Sequence, residues 1–413
     1  MKNKTLTYLV LSLLCCMSAC TSVDLCPEAE HPHITDMRVR LNWGDISKDE
    51  IPAEMHIVAS RIINTWRTHG IVDTFADPAT DNNITLQQSS SDSGTAVTAA
   101  SSFYLRGGEY NIFVINEQYA DTPVQTDETK PTPIISIENL DNYIHDNRIS
   151  VKDLYLQISS MGDEKPGIVE GNDLPDFNPD DEYLKEVKSP IFYAVQKNIN
   201  IQTGQPTVME FDMQRISQRI NIIFNIRTEG NIKKEDLSAP IIELSGTCGR
   251  FNISDACLDT TRLYRTVHQV QPDEFTQTGE GTYRCAVHFH TLGIIPSAAK
   301  GHLNGPGILQ VALQVSTPQL DAAGAPVLDA DGNPVKNSRY IYGAINPYDE
   351  LTAAQLIEVR DGKTYLRYSK EDVNIEITTP LVIKADKIVP NDTGMGWQPH
   401  DPSNPDDDII IEI

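Results

Sequence analysis

Met37-Arg38-Val39-Arg40-Leu41-Asn42-Trp43 places an apolar residue at every second position, with arginine or asparagine between them. A strand turns successive side chains to opposite faces, so this alternation predicts a half-buried antiparallel strand with Met37, Val39, Leu41 and Trp43 inward. The same period returns in Ile220, Ile222, Phe224 and Ile226, in Tyr283, Cys285, Val287 and Phe289, in Leu309, Val311, Leu313 and Val315, and in Val373, Ile375 and Ile377. Gly107-Gly108, Asp331-Gly332-Asn333-Pro334 and Asp361-Gly362 punctuate the runs, as hairpins require. Many short strands parted by turns predict an all-β chain of antiparallel β-sandwiches. Helical spacing is confined to 348–359, where Leu351, Ala354, Leu356 and Ile357 share a face, and more weakly to 143–149. No repeat of fixed period runs along the chain.

Ahead of the first strand, Lys2 and Lys4 precede a short apolar run that closes on Met17-Ser18-Ala19-Cys20. A basic start, an apolar stretch and small residues before a cysteine make a lipoprotein signal. Cleavage leaves Cys20 as the first mature residue, with a diacylglyceryl group on its sulfur and palmitate-type acylation. The apolar run is shorter than the ~20 residues a membrane-spanning helix needs, and no later segment reaches that length. The predicted organisation is therefore 1–19 signal peptide, 20–33 lipidated tether, and 34–268 N-terminal β-sandwich domain. That domain carries an acidic excursion, rich in Pro and Gly, near 162–186. A linker at 269–281 and a C-terminal β-sandwich domain at 282–413 complete the chain. Its end is an acidic stretch, 390–408, running into Ile409-Ile410-Ile411-Glu412-Ile413, a terminal strand and a candidate strand-exchange element through Ile409, Ile410, Ile411 and Ile413.

The formal net charge of -25 argues against nucleic-acid binding, which needs clustered Lys and Arg. It also gives the folded part no attraction to an anionic membrane, so lipid carries the attachment. Cys15 and Cys16 leave with the signal, so Cys26, Cys248, Cys257 and Cys285 remain for pairing, at most two local staples of undetermined connectivity. No CxxC pair exists, which excludes a zinc ribbon on spacing.

His288 and His290 share a strand face but lack a third ligand at a recognisable spacing, so they read as a solvated face. Asp329, Asp331 and Asn333 around Gly332 resemble part of a calcium loop, yet Tyr340 stands where the bidentate Glu would be; the segment reads as a hairpin turn. His31 and His33 flank Pro32 and read as packing for the entry of the first strand. G-x-S-x-G, H-E-x-x-H, a phosphate loop and a Rossmann glycine pattern are all missing from the sequence. No enzyme activity, cofactor or metal is expected. Trp43 reads as core, whereas Trp66 and Trp397 are open candidates for stacking on sugars.

A series of segments carries a resemblance. Leu25-Cys26 and His31-Pro32-His33 precede Asn42-Trp43. Pro52-Ala53-Glu54-Met55-His56-Ile57, Ser60-Arg61-Ile62-Ile63-Asn64-Thr65 and Gly107-Gly108-Glu109-Tyr110-Asn111-Ile112-Phe113 follow. Later, 213–227 leads to Ile242-Glu243-Leu244-Ser245-Gly246, and Gly396-Trp397 stands near the end. In this order, over nearly the whole mature chain, they resemble the fimbrillin superfamily of Bacteroides-type bacteria, above all its lipid-anchored fimbrial anchor and assembly subunits. The resemblance implies two tandem transthyretin-like sandwiches, a surface-exposed place on the outer membrane, and a position at the base or tip of a type V pilus. It also implies partners among the subunits of one pilus, joined when an extended strand from a neighbour completes a sheet. Polymerising members are cut after an arginine in the N-terminal domain. Arg106, in Leu105-Arg106-Gly107-Gly108, is the candidate processing site, although an uncut loop arginine is the better reading in a chain whose lipid sits upstream. A binding module that captures glycan or a host surface ligand is the alternative, and an exposed aromatic row would favour it.

Overall fold

The computed structural model describes residues 34–52, 55–63, 73–76, 83–84, 96–98, 103–116, 118–119, 133–138, 151–161, 182–230, 232–367, 372–384, 387–390 and 396–399. Cys20, Cys26, His31, His33, Trp66, the weak helix at 143–149 and Ile409 to Ile413 lie outside them. The principal elements of the first half are β1 (Ile34–Asn42), β2 (Met55–Ile63), β3 (Phe103–Arg106), β4 (Gly108–Ile115), β5 (Pro133–Glu138), β6 (Tyr155–Ile158), β7 (Phe192–Ile201) and β8 (Thr207–Asp212). Those of the second half are β9 (Gln218–Glu229), β10 (Ile241–Thr247), β11 (Tyr264–Gln269), β12 (Thr282–Thr291), β13 (Leu309–Pro318), β14 (Lys336–Ile345), α1 (Tyr348–Ala354) and β15 (Val373–Lys384). Every run of alternating residues that predicted a strand lies in one, and the chain is nearly all β.

The strands form three layers at the N-terminal end. In the outer sheet, β1 is central, parallel to β8 on one side and antiparallel to β3 and Ala96–Thr98 on the other. The middle sheet runs β7-β4-β2, antiparallel throughout. On β4 the alternation is apolar on both faces: Tyr110, Ile112 and Val114 pack against Met37, Val39 and Leu41 of β1. Phe113 and Ile115 point the other way, onto Ile135, Leu156 and Phe251 of a third sheet that contains β5 and β6. A strand covered on both sides has no polar face to offer.

A second pair of sheets encloses the largest core. Ile220, Ile222, Phe224 and Ile226 of β9 face Leu244 of β10 and Val311 and Leu313 of β13, all at most 1% exposed. Each such buried side chain contributes about 1.5–3 kcal/mol. The sheets run β12-β9-β15 and β11-β10-β13-β14, with β9 and β15 parallel.

The segment 269–281 does not separate the two cores. It ends β11, holds the strand Phe275–Gly279 paired to β12, and contributes Val270 and Phe275 to the same core as β9 and β10. The chain passes between cores instead at Met213 to Ser217: Met213 packs with β1, Ile216 with the third sheet, and Ile220 with the C-terminal core. The third sheet also recruits Arg250–Asn252, Cys257–Leu258 and Lys363–Leu366 from the second half, so the two halves share strands. The helix is shorter than its spacing suggested. After α1, Gln355 takes φ +49°, Leu356 is buried in the core, and Ile357–Arg360 is extended.

Candidate functional site

The outer N-terminal sheet is where the predicted assembly chemistry gathers. β1 begins at residue 34, directly after the segment predicted to be a tether. Thr35 Oγ1 donates to the Gln202 carbonyl at 2.9 Å and accepts from Gly204 N–H at 3.1 Å, which fastens the entry of β1 to the turn between β7 and β8. Met37, Val39, Leu41 and Trp43 are all 1% exposed or less, as the alternation required. The outer face is polar: Arg40 meets Glu210 at 2.6 Å, and Asn42 Nδ2 donates to Asp212 Oδ1 at 3.0 Å. An exposed ion pair such as Arg40–Glu210 contributes little energy, ~0–1 kcal/mol, and here both contacts mark the β1–β8 register.

β8 ends the sheet. Among the described residues its named strand partner is β1 alone, so its other edge is unpaired apart from the Glu210 carbonyl, which accepts from the Gln196 side chain. Val208, on the outer face, is 55% exposed. Where β1 and β8 run out together, Trp43, Ile46, Asp212, Met213, Glu50 and Arg215 line a cavity of about 520 Å³. Arg215 is ion-paired with Glu50 there. Trp43 stands edge-on to Phe192 at 5.2 Å, and its indole N–H is buried without a hydrogen-bond partner.

Arg106 is exposed at the end of β3, opposite Ile34 of β1, and its carbonyl accepts from Tyr110 Oη at 3.0 Å. It lies in a paired strand and not in a free loop. A cut after it would leave β1, β2 and β3 joined to the rest of the chain by packing and hydrogen bonds alone.

The histidines are brought into a different grouping from the one their spacing suggested. His268, which sequence reasoning passed over, is buried between two glutamates: Nε2 is 2.8 Å from Glu274 Oε2, and Nδ1 is 3.4 Å from Glu186 Oε1, near enough for charge attraction without an aligned hydrogen bond. Burial opposes its charge, but the two glutamates prevail and raise its pKa. The same contact with His268 in turn lowers Glu186. His288 is half-exposed, 3.8 Å from Glu274. His290 on the same face is held down to about 4, by burial first and then by Arg219 and Arg215. Among the described residues no three His, Cys, Asp or Glu side chains converge as metal ligands.

Cys248, Cys257 and Cys285 are free and buried, so no staple forms among them. Cys248 and Cys285 sit in different cores, and burial pushes both thiols to about 12. Trp397 is 1% exposed, packed on Phe224, with its N–H donated to the Thr379 carbonyl. It is a core residue and offers no platform for a sugar. No exposed aromatic side chain occurs among the described residues.

No protein-family model and no curated protein matches the chain. Solved structures do. A candidate adhesin from Bacteroides ovatus aligns at 9% identity and a TM-score of 0.43, over 87% of this chain and 94% of that one. The fimbrial anchor protein Mfa2 from Porphyromonas gingivalis aligns at 12% identity and a TM-score of 0.32, over 67% and 77%. The tip fimbrial protein Mfa3 from Porphyromonas gingivalis, with C-terminal truncation, aligns at 12% identity and a TM-score of 0.35, over 84% and 95%.

Proposed function

We propose that the chain is a non-catalytic outer-membrane lipoprotein, an anchor or accessory subunit of a type V-like fimbria that engages pilin by strand addition. The observation that carries the reading is the placement of β1. The strand that follows the Cys20 tether is the middle of its sheet, hydrogen-bonded on both sides and buried at Met37, Val39, Leu41 and Trp43. Tension applied at the lipid is thereby delivered to the core and not to a fraying end. On the same sheet, β8 leaves a backbone edge where an extended segment of a neighbour adds its own hydrogen bonds. Arg106 stays uncut in this role, since cleavage would sever the covalent link between the lipid and everything beyond β3.

Deleting the gene and imaging the cells tests the proposal. Pili shed into the medium, or grown to abnormal length, are the expected outcome; pili of normal number and length still attached to the cells would overturn it.

A further inference from the structure

Hairpin β13–β14 runs out beyond the sandwich, with Lys336, Asn337, Ser338 and Arg339 all exposed. At its end the chain builds a two-lobed tip over residues 319–335. Leu320-Asp321-Ala322-Ala323-Gly324-Ala325-Pro326 and Leu328-Asp329-Ala330-Asp331-Gly332-Asn333-Pro334 share one pattern, a local duplication within a chain that has no long-range repeat.

The two lobes also share one geometry. Asp321 Oδ1 accepts from the N–H groups of Ala323 and Ala325, each at 2.9 Å. Asp329 Oδ1 does the same for Asp331 at 3.0 Å and Asn333 at 2.8 Å. Gly324 and Gly332 take φ of +79° and +83°, a conformation that favours glycine. A ring of backbone hydrogen bonds joins the lobes: Gln319 N–H to Val335 O at 2.7 Å, Val335 N–H to Val327 O at 2.8 Å, and Val327 N–H to Gln319 O at 2.8 Å.

This order holds two leucines in water. Leu320 and Leu328 are each 58% exposed, and among the described residues the other exposed large apolar side chains are Val208 and Val359. Singly scattered apolar residues need no explanation. A rigid, duplicated pair at the end of an arm does. The tip carries Asp321, Asp329 and Asp331 and neither Lys nor Arg between 319 and 335.

We propose that this tip is a docking knob that inserts Leu320 and Leu328 into an apolar hollow, rimmed by Lys and Arg, on a partner protein. A second copy is disfavoured by its own charge of -25. An anionic lipid surface repels three carboxylates, and the tip has no aromatic ring to stack on a sugar. A basic protein surface satisfies both the leucines and the charge. Because the turns are already fixed, little conformational entropy is lost on binding. The inference is independent of strand addition at β8.

A benzoylphenylalanine photo-crosslinker placed at Ala322 in intact cells tests it. A protein adduct of one mass is expected, its partner bearing a basic patch. Leu320→Asp with Leu328→Asp cuts the yield by about tenfold or more, and ~1 M salt present before and during irradiation lowers it. Val359→Asp, at an exposed site elsewhere, leaves it unchanged. The proposal is overturned by the lack of a protein adduct, by an adduct with a second copy or a lipid, or by a yield indifferent to the double substitution. It is overturned equally if the double variant melts well below the parent, for the leucines would then serve the fold.

Discussion

Two residues, Cys20 and Trp43, mark the ends of the proposed link between membrane and fold. In the proposed function Cys20 carries the lipid, so Cys20→Ala is expected to move the protein from the membrane fraction to soluble fractions. Recovery of the variant in the membrane at the parent's level would refute lipidation there. Trp43 fills the far end of β1 against Phe192. Trp43→Ala is expected to destabilise the N-terminal core by about 3–5 kcal/mol, read as a lowered melting temperature; a change under ~1 kcal/mol would mean the adjoining cavity already leaves the indole loosely held. His268 and His290 give the pH dependence. His268 has a raised pKa, so its stabilising charge is complete below the unfolded value of 6.5 and is lost as pH climbs through the folded value. Glu186 is lowered, so its contribution is present above 4.5 and is lost as pH falls through its folded value. His290 stays neutral down to about 4, while the unfolded chain takes up a proton from 6.5 downward, so stability falls across that interval. His290→Gln is expected to flatten the decline in melting temperature between pH 6.5 and 4, and His268→Gln to remove the loss on the alkaline side. Unchanged profiles in both variants would count against these assignments.

At the scale of elements, the proposed assembly rests on the open sheet edges. β14 is paired along its whole length to β13, but among the described residues its other side is paired only at Gly343 and Ala344, to Gln398–Pro399. Residues 400–413 follow from that point, and the apolar Ile409, Ile410, Ile411 and Ile413 are suited to a sheet edge. We expect them to complete this chain's own C-terminal sandwich. Deleting 408–413 should then lower the melting temperature of the isolated monomer, by exposing a sheet edge and an apolar row. A truncated monomer that melts like the parent yet fails to join a pilus would make the segment a donor to the next subunit. The β8 edge is tested differently. Val208→Lys places a charge on an exposed edge strand and is expected to weaken capture of pilin about tenfold while leaving the melting temperature within a degree or so; equal capture would move the acceptor site elsewhere.

Across the whole molecule, what the sequence made legible and what it hid follow from the range of each interaction. Alternation is local, so β1, β9, β12, β13 and β15 could be read directly, and so could the turn at Asp329. Pairing is not local. β1 lies beside β8 with a separation of about 170 residues between partners, and nothing in either segment announces the other. His268 stayed hidden because its partners Glu186 and Glu274 lie on other elements and the mark of the site is their convergence. The polar composition of 269–281 suggested a boundary, although Val270 and Phe275 are buried in the core shared by β9 and β10. Composition reports solvent exposure, and a surface hairpin is as exposed as a linker. The difference is measurable by limited proteolysis. The segment 269–281 is tied down by Phe275–Gly279 pairing to β12 and by Glu274, which accepts from Gln271 N–H at 2.8 Å and meets His268. Cutting there would require opening a sheet. The sequence at 162–181 is instead crowded with Asp, Glu, Pro and Gly. The first stable fragments are therefore expected to have termini within 162–181, held together as a nicked complex by the strands that the two halves share. Early cleavage inside 269–281 with release of a folded C-terminal fragment would restore the boundary that composition suggested, and would require the shared third sheet to separate without unfolding either half.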